Sequence, residues 1–238
     1  MTDINYLLNI IQHNSIHTKI ISISGESGSG KTTLALHLVA SILSQSQPSC
    51  TIWIQSSELF PSKRLLTLFQ NDLKTLSLLE KNTFVTPDKH TFLSYEAQTE
   101  FITNLFSNDT VLPPNLKCIV MDNISHHLRY KLSKYSEIKD ITQLLNRFFE
   151  DQLFPLICYC QRQSIYLLLI HENSYDPTFK RNRVFSHKLY DKINTISIEL
   201  SSYWYKYEKR RRLNVYNQNK IKIQSYNYSL SQEGVLLH

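Results

Sequence analysis

Glycine is nearly missing from this chain. Its 238 residues include four, and three of them (Gly25, Gly28 and Gly30) fall in one hexapeptide; the fourth is Gly234. A chain that otherwise does without glycine, yet gathers it in one place, needs a tight turn or a close backbone approach there. Cysteine is also sparse: Cys50, Cys118, Cys158 and Cys160, with no C-x-x-C pair and three in or beside apolar runs. That pattern argues against a disulfide framework or a thiolate metal site, and for buried thiols in a reducing compartment. No apolar run approaches the roughly 20 residues of a membrane helix. The start "MTDINYLLNIIQHN" lacks the basic n-region and unbroken apolar core of a secretory leader. No repeat, low-complexity tract or linker rich in Gly, Pro and Ser divides the chain, so residues 1–238 read as one domain. Acidic residues are outnumbered, 20 against 26 Lys and Arg, and the net charge of +6 permits an acidic partner such as nucleic acid without requiring one.

The glycine cluster reads "GESGSGKTTLALHL" from Gly25, which is G-x-x-x-x-G-K-T closed by Lys31 and Thr32. The apolar run "TKIISISG" before it reads as a strand, and "KTTLALHLVASIL" after it as a helix. Strand, glycine-rich loop and helix in that order are the context of a P-loop. The candidate ATP-binding residues are therefore Gly25, Glu26, Ser27, Gly28, Ser29, Gly30, Lys31, Thr32 and Thr33. Backbone N–H groups of residues 28–31 can wrap a phosphate, and the helix points its positive end at the same place. Lys31 would reach the β- and γ-phosphates, and the Thr32 hydroxyl would bind Mg²⁺. "LKCIVMD" is a continuous apolar run ending in Asp122, where a P-loop protein places the second acid of its metal shell.

Elsewhere "INYLLNIIQ" has the apolar spacing of a short amphipathic helix, "CTIWIQ" reads as a strand, and Pro61 suits the start of a helix in "SSELFPSKRLLTLF". "TFVT" is a short strand, "YEAQTEFITNLF" a helix, and "EIKDITQLLNRFFEDQL" a longer helical stretch that Pro155 interrupts. "SIYLLLI" is another buried strand. After it "YDKINTISIELS", "RRLNVYN" and "KIKIQSYNYSL" alternate apolar and polar residues, with a turn at Asn217-Gln218-Asn219. The predicted architecture is α/β, a parallel core followed by an antiparallel β-meander on the sheet's edge. The basic run in "YKYEKRRRL" is expected on an edge strand, where Lys and Arg discourage pairing with another chain. Adjacent side chains point apart, so the tandem His126-His127 is not read as a metal site.

Three stretches carry a family resemblance. The loop G-E-S-G-S-G-K-T, the segment "IWIQSSELFPSKRL" and the run Ser125-His126-His127-Leu128-Arg129 after Asp122 resemble the RecA-like recombinases, in their eukaryotic paralogue branch. Within it, the yeast recombination-mediator paralogue carries the same His-His-Leu-Arg run. "SLSQEGV" is similar to the family's closing strand and Gly turn. The resemblance spans residues 18–236 and implies a RecA-type core that binds ATP, Mg²⁺ and single-stranded DNA in homologous-recombination repair in the nucleus, alongside another paralogue and the recombinase itself. The helix-hairpin-helix domain of many relatives has no counterpart in residues 1–238. The chain departs from the family at two places. The glutamate that orients the attacking water falls on Ser57, with Glu58 one residue later; and the Asn-Gln pair that senses the γ-phosphate becomes His171-Glu172.

The resemblance also places two DNA-facing segments. One follows Asp122 and takes in Arg129, Lys131 and Lys134; the other is "SYDPTFKRNRVFSHK", with Lys180, Arg181, Arg183 and Lys188 among aromatic residues. Two roles stay open: a DNA-dependent ATPase with Glu58 and Asp122 at its catalytic centre, or a non-catalytic assembly subunit that holds ATP as an internal staple. The side on which Glu58 points decides between them. A small-molecule kinase would want an Arg-bearing lid and a substrate pocket, and the closing β-meander argues against it.

Overall fold

Apolar runs too continuous for a one-sided sheet dictate an arrangement covered on both faces, and that is what forms. The computed structural model describes residues 4–14, 18–45, 48–107, 110–176, 181–190 and 192–238. Six strands make a parallel core: β1 (Ile20–Gly25), β2 (Cys50–Gln55), β3 (Thr83–Thr86), β4 (Leu116–Asp122), β5 (Tyr166–Asp176) and β7 (Ile196–Tyr205). Three antiparallel strands extend it: β8 (Glu208–Tyr216), β9 (Lys222–Ser231) and β10 (Gly234–Leu237). The order across the sheet is β10-β9-β8-β7-β1-β5-β4-β2-β3, with β6 (Arg181–Val184) pairing with β5.

Both faces of the parallel core are buried, as the sequence of β1, all six residues inside, requires. On one face α1 (Ile4–Asn14), α2 (Lys31–Gln45), α3 (Ser62–Phe69) and α4 (Leu73–Asn82) cover Ile21, Ile23, Trp53, Leu168 and Leu200. The amphipathic reading of α1 matches Leu7, Leu8 and Ile11, which are buried in that layer. On the other face α5 (Tyr95–Leu105), α6 (His126–Leu132), α7 (Ile138–Phe148), α8 (Phe154–Arg162) and the short α9 (His187–Tyr190) cover Ile54, Ile119, Met121, Leu167 and Leu169.

Two expectations are corrected here. The helical stretch before Pro155 does not break. A π-helical turn, Phe149–Leu153, joins α7 to α8 and puts Pro155 in the first turn of α8, where a missing N–H is tolerated. The turn also carries Gln152 fully inside, where its amide accepts from Gln98 and donates to Thr99. Nor is the basic run on an edge: β8 lies between β7 and β9. Its exposure has another cause. The β7–β8 hairpin outruns its neighbours, since β1 pairs with β7 only as far as Leu200 and β9 meets β8 only from Arg211 onward. The four cysteines are free thiols, with Cys50, Cys118 and Cys160 buried. No helix among the described residues is long and apolar enough to cross a membrane.

Candidate functional site

A parallel sheet exposes its carboxyl ends, and loops meeting there build the sites of such folds. The loop between β1 and α2 does so with the expected glycines. Gly28 and Gly30 have φ of +70° and +95°. A Cβ at Gly30 would also lie 2.6 Å from Leu230 Cδ2, so the backbone conformation demands glycine there and a side chain would push Leu230 aside. The loop is buttressed from the far end of the chain. Tyr228 on β9 donates its hydroxyl to the Ser29 carbonyl at 2.8 Å, and Arg64 spans from Thr33 Oγ1 (3.3 Å) to the Ser231 carbonyl (2.8 Å).

Beside the loop lies a cavity of about 280 Å³. Its wall includes Ser27, Gly28, Gly30, Lys31, Thr32 and Thr33 from the loop, Asp122 and Asn123 from the end of β4, and Ser57, Glu58, Arg64, Glu172 and Leu230. The Thr32 hydroxyl donates to Asp122 Oδ2 at 2.9 Å, which joins the two residues expected to share a metal. Lys31 Nζ donates to the carbonyls of Gly25 (3.1 Å) and Glu26 (2.9 Å). Burial lowers the Lys31 pKa, opposed by Glu172, Asp122, Glu58 and Glu26. Burial pushes the Asp122 carboxyl up to about 6; the Thr32 hydrogen bond and Lys31 oppose the rise, while Glu58 and Glu172 add to it.

Three carboxylates (Glu58, Asp122, Glu172) thus face two cations (Lys31, Arg64) across one cavity. No group of three or more His, Cys, Asp or Glu side chains among the described residues is placed to hold a metal alone, but the Thr32 hydroxyl and Asp122 carboxylate are donors that suit a hard divalent cation shared with phosphate. The ring of backbone amides and the lysine beside it suit phosphate. The residues present fit a nucleotide with its metal.

Glu58 faces this cavity although it stands one position beyond the family's place. It sits in a turn that is pinned at both ends. Ser56 N and Ser57 N donate to the Asp122 carbonyl (2.7 and 3.4 Å), and Gln55 Oε1 accepts from Phe60 N at 2.7 Å. His127 Nε2 meets the Ser56 carbonyl at 3.0 Å, which gives one residue of the His-His pair a positioning part in the same turn. Outside a strand, a one-residue shift need not reverse a side chain's direction.

The expected sensor pair is divided. Glu172 lines the cavity, but His171 points to the opposite face and is fully buried. Its ring stands edge-on to Tyr190 at 4.4 Å, and neither nitrogen has a hydrogen-bond partner among the described residues. Burial holds its pKa near 3, so it stays a neutral core residue. Adjacent strand residues face opposite ways, which is why the pair cannot act together.

The DNA-facing candidates differ among themselves. Arg129 is ion-paired with Glu172 at 2.9 Å, and its guanidinium lies 5.2 Å from the Phe185 ring centroid. Lys131 pairs with Glu96, and Lys134 lies over Tyr130. In the second segment Lys180 is outside the described residues. Arg181 opens β6, which forms an antiparallel hairpin with the end of β5 where a loop was expected; Arg183 is half-buried on it, and Lys188 is exposed on α9. Four wall residues had not been singled out as binding residues: Ser57, Arg64, Asn123 and Leu230. Arg64 had a signal, its place in "FPSKRL". Leu230 had its place in "SLSQEGV", but only the meander's packing brings it to the loop.

The chain matches the family model of the NB-ARC domain over residues 2–103, a stretch that includes the P-loop and ends before β4. No curated protein matches it. Among solved structures it is similar to the one titled "Crystal structure of the RadB recombinase": 16% identity, 96% of this chain and 94% of that chain covered, TM-score 0.65. The family match covers less than half of the chain, and the structural likeness at that identity speaks for the fold. The chain has a RecA-type P-loop fold, an arrangement that implies a nucleotide held with a divalent metal.

Proposed function

We propose that this chain is an ATP-binding recombinase paralogue acting with single-stranded DNA in homologous-recombination repair in the nucleus. Its partners are a second paralogue and the recombinase whose filament it helps to assemble, and residues 1–238 serve as one ATPase core. The observation that carries the catalytic part is the place of Glu58, on the wall of the cavity that holds Lys31, Thr32 and Asp122. The amides of residues 28–31 and Lys31 hold the β- and γ-phosphates of ATP, and Thr32 and Asp122 hold Mg²⁺. The metal, when bound, neutralises phosphate charge. Glu58 orients and deprotonates the attacking water, a task that needs a carboxylate within reach of the γ-phosphate.

The test is ATP turnover measured with and without single-stranded DNA, for the wild type and Glu58→Gln. Turnover on the order of a few per minute is expected, below the roughly 10 per second median of enzymes. It should rise with DNA and be lost in Glu58→Gln. The Arg129–Glu172 ion pair favours a second reading, the assembly subunit, because it engages the acid at the sensor position. Tight ATP binding with no turnover under either condition would select that reading.

A further inference from the structure

The tip of the β7–β8 hairpin is the least explained surface of the molecule. Its ten residues, numbers 203–212, read YWYKYEKRRR: four aromatics, five bases and one acid. Beyond Leu200 and before Arg211 the two strands pair only with each other, in the register Ser202↔Arg211, Tyr203↔Arg210, Trp204↔Lys209 and Tyr205↔Glu208. Opposed residues share a face. One face is a ladder of rings and guanidinium groups, with Arg212 4.6 Å from the Tyr203 ring centroid and Arg210 4.6 Å from that of Tyr205. The other carries Trp204 and Lys209. Trp204 is 74% exposed and Tyr207 is 100% exposed, so packing within the fold accounts for neither.

The turn adds an independent observation. Lys206 and Tyr207 have φ of +47° and +69°. A two-residue hairpin with both residues left-handed is normally made by Asn-Gly, which adopts it without strain. A lysine and a tyrosine there are an uncommon and strained choice. Within the fold Lys206 gains only a place over the Tyr205 ring, 5.4 Å from its centroid, and Tyr207 is fully exposed; such outliers gather where function requires them. The hairpin also projects from the functional end of the sheet. β7 is parallel to β1, and Ser202 Oγ donates to Glu26 Oε2 of the P-loop at 3.3 Å.

We infer that this tip is a binding site for single-stranded nucleic acid. Trp204 and Tyr207 are its stacking surfaces, and Lys206, Lys209 and Arg210 its phosphate contacts. Exposed rings among cations are what sequence-tolerant single-strand recognition uses. A protein partner would exploit the same rings, but protein interfaces are depleted in lysine, and this tip presents two. The inference rests on the reading above that the chain works on single-stranded DNA, and it places the contact on a hairpin rather than on the segments after β4 and β5.

The experiment titrates a fluorescein-labelled oligothymidylate against the full chain at several salt concentrations. It compares wild type, Trp204→Ala, the double variant Lys206→Asn with Tyr207→Gly, and the triple variant Lys180→Ala, Arg181→Ala, Arg183→Ala. Trp204→Ala should weaken binding about tenfold or more, the scale of one lost base stack. The double variant should lower the slope of log K against log salt by about 0.7, for one phosphate contact. It should also raise the melting temperature, because Asn-Gly relaxes the turn. Unlabelled oligonucleotide should quench tryptophan fluorescence, since of the two tryptophans Trp53 is buried and Trp204 is not. If both tip variants bind as wild type does and the triple variant loses binding, the site is not on the hairpin, while the DNA reading stands. If wild type binds no oligonucleotide, both fall. If the tip variants keep DNA binding but lose self-association in the ultracentrifuge, the tip is a contact between copies of the chain and the inference is overturned.

Discussion

Replacing Asp122 by Asn should make the nucleotide-free protein more stable at neutral pH while removing its hold on the metal. Burial raises the Asp122 pKa from 3.8 to about 6, so the fold disfavours the ionised form. The sign follows directly. An acid whose pKa is higher folded than unfolded binds protons more readily in the fold, so its ionisation destabilises the fold fully above about pH 6. That penalty is relieved as the pH falls through 6 toward 4. At 1.36 kcal/mol per pKa unit, the shift of about two units corresponds to ~3 kcal/mol. Asn keeps the shape and can still accept from the Thr32 hydroxyl. The attraction of Lys31 is already contained in the value of about 6, so the expected gain is that ~3 kcal/mol. For a chain of this size, that raises the melting temperature by about 6–12 °C.

The assay is thermal unfolding in chelator at pH 7.5 and pH 5, for wild type and Asp122→Asn. Wild type should gain stability on acidification relative to the variant, with the gap roughly halved at pH 5 and closing toward pH 4. Calorimetry with Mg²⁺ and ATP at pH 7.5 should show binding lost in the variant. A variant less stable than wild type at pH 7.5, or a gap that does not shrink with pH, would refute the burial argument. Asp122 would then be a carboxylate that the fold welcomes without its metal.

Two further outcomes are expected. Lys31→Ala should abolish ATP binding by calorimetry, because the phosphates lose the loop's only lysine; unchanged affinity would end the P-loop reading. Tyr228→Phe should lower stability by about 1–2 kcal/mol, since it strands the Ser29 carbonyl, and should weaken ATP binding, although no atom of Tyr228 lines the cavity. Equal ATP affinity in that variant would mean that the meander supports the sheet and not the loop.

Much of this was legible in the chain because its chemistry is written locally. Strand, glycine loop and helix are contiguous, and Asp122 announces itself by ending an apolar run. The fate of His171-Glu172 was legible too, had strand alternation been applied to it: only one of two adjacent residues can face the cavity. The basic run was misplaced for a deeper reason. Alternation and charge describe a strand's faces, whereas edge or interior depends on how far its neighbours run, and the ends of β1 and β9 are set by other loops. The direction of Glu58 lay beyond the sequence for a similar reason. The turn that aims it is held by groups distant in the chain, the Asp122 carbonyl and the His127 ring.

The support that Tyr228 gives Ser29 joins residues 199 positions apart, and this gives the fold a direction in time. A ribosome adding about 5–20 residues per second needs about 10–40 s between making the loop and making its brace. Throughout that interval the glycine-rich segment lacks Tyr228, Leu230 and the Ser231 carbonyl to shape it. A growing chain therefore carries the loop without this brace until β9 has been made. Fragments that end before β9 have the motif without the groups that brace it.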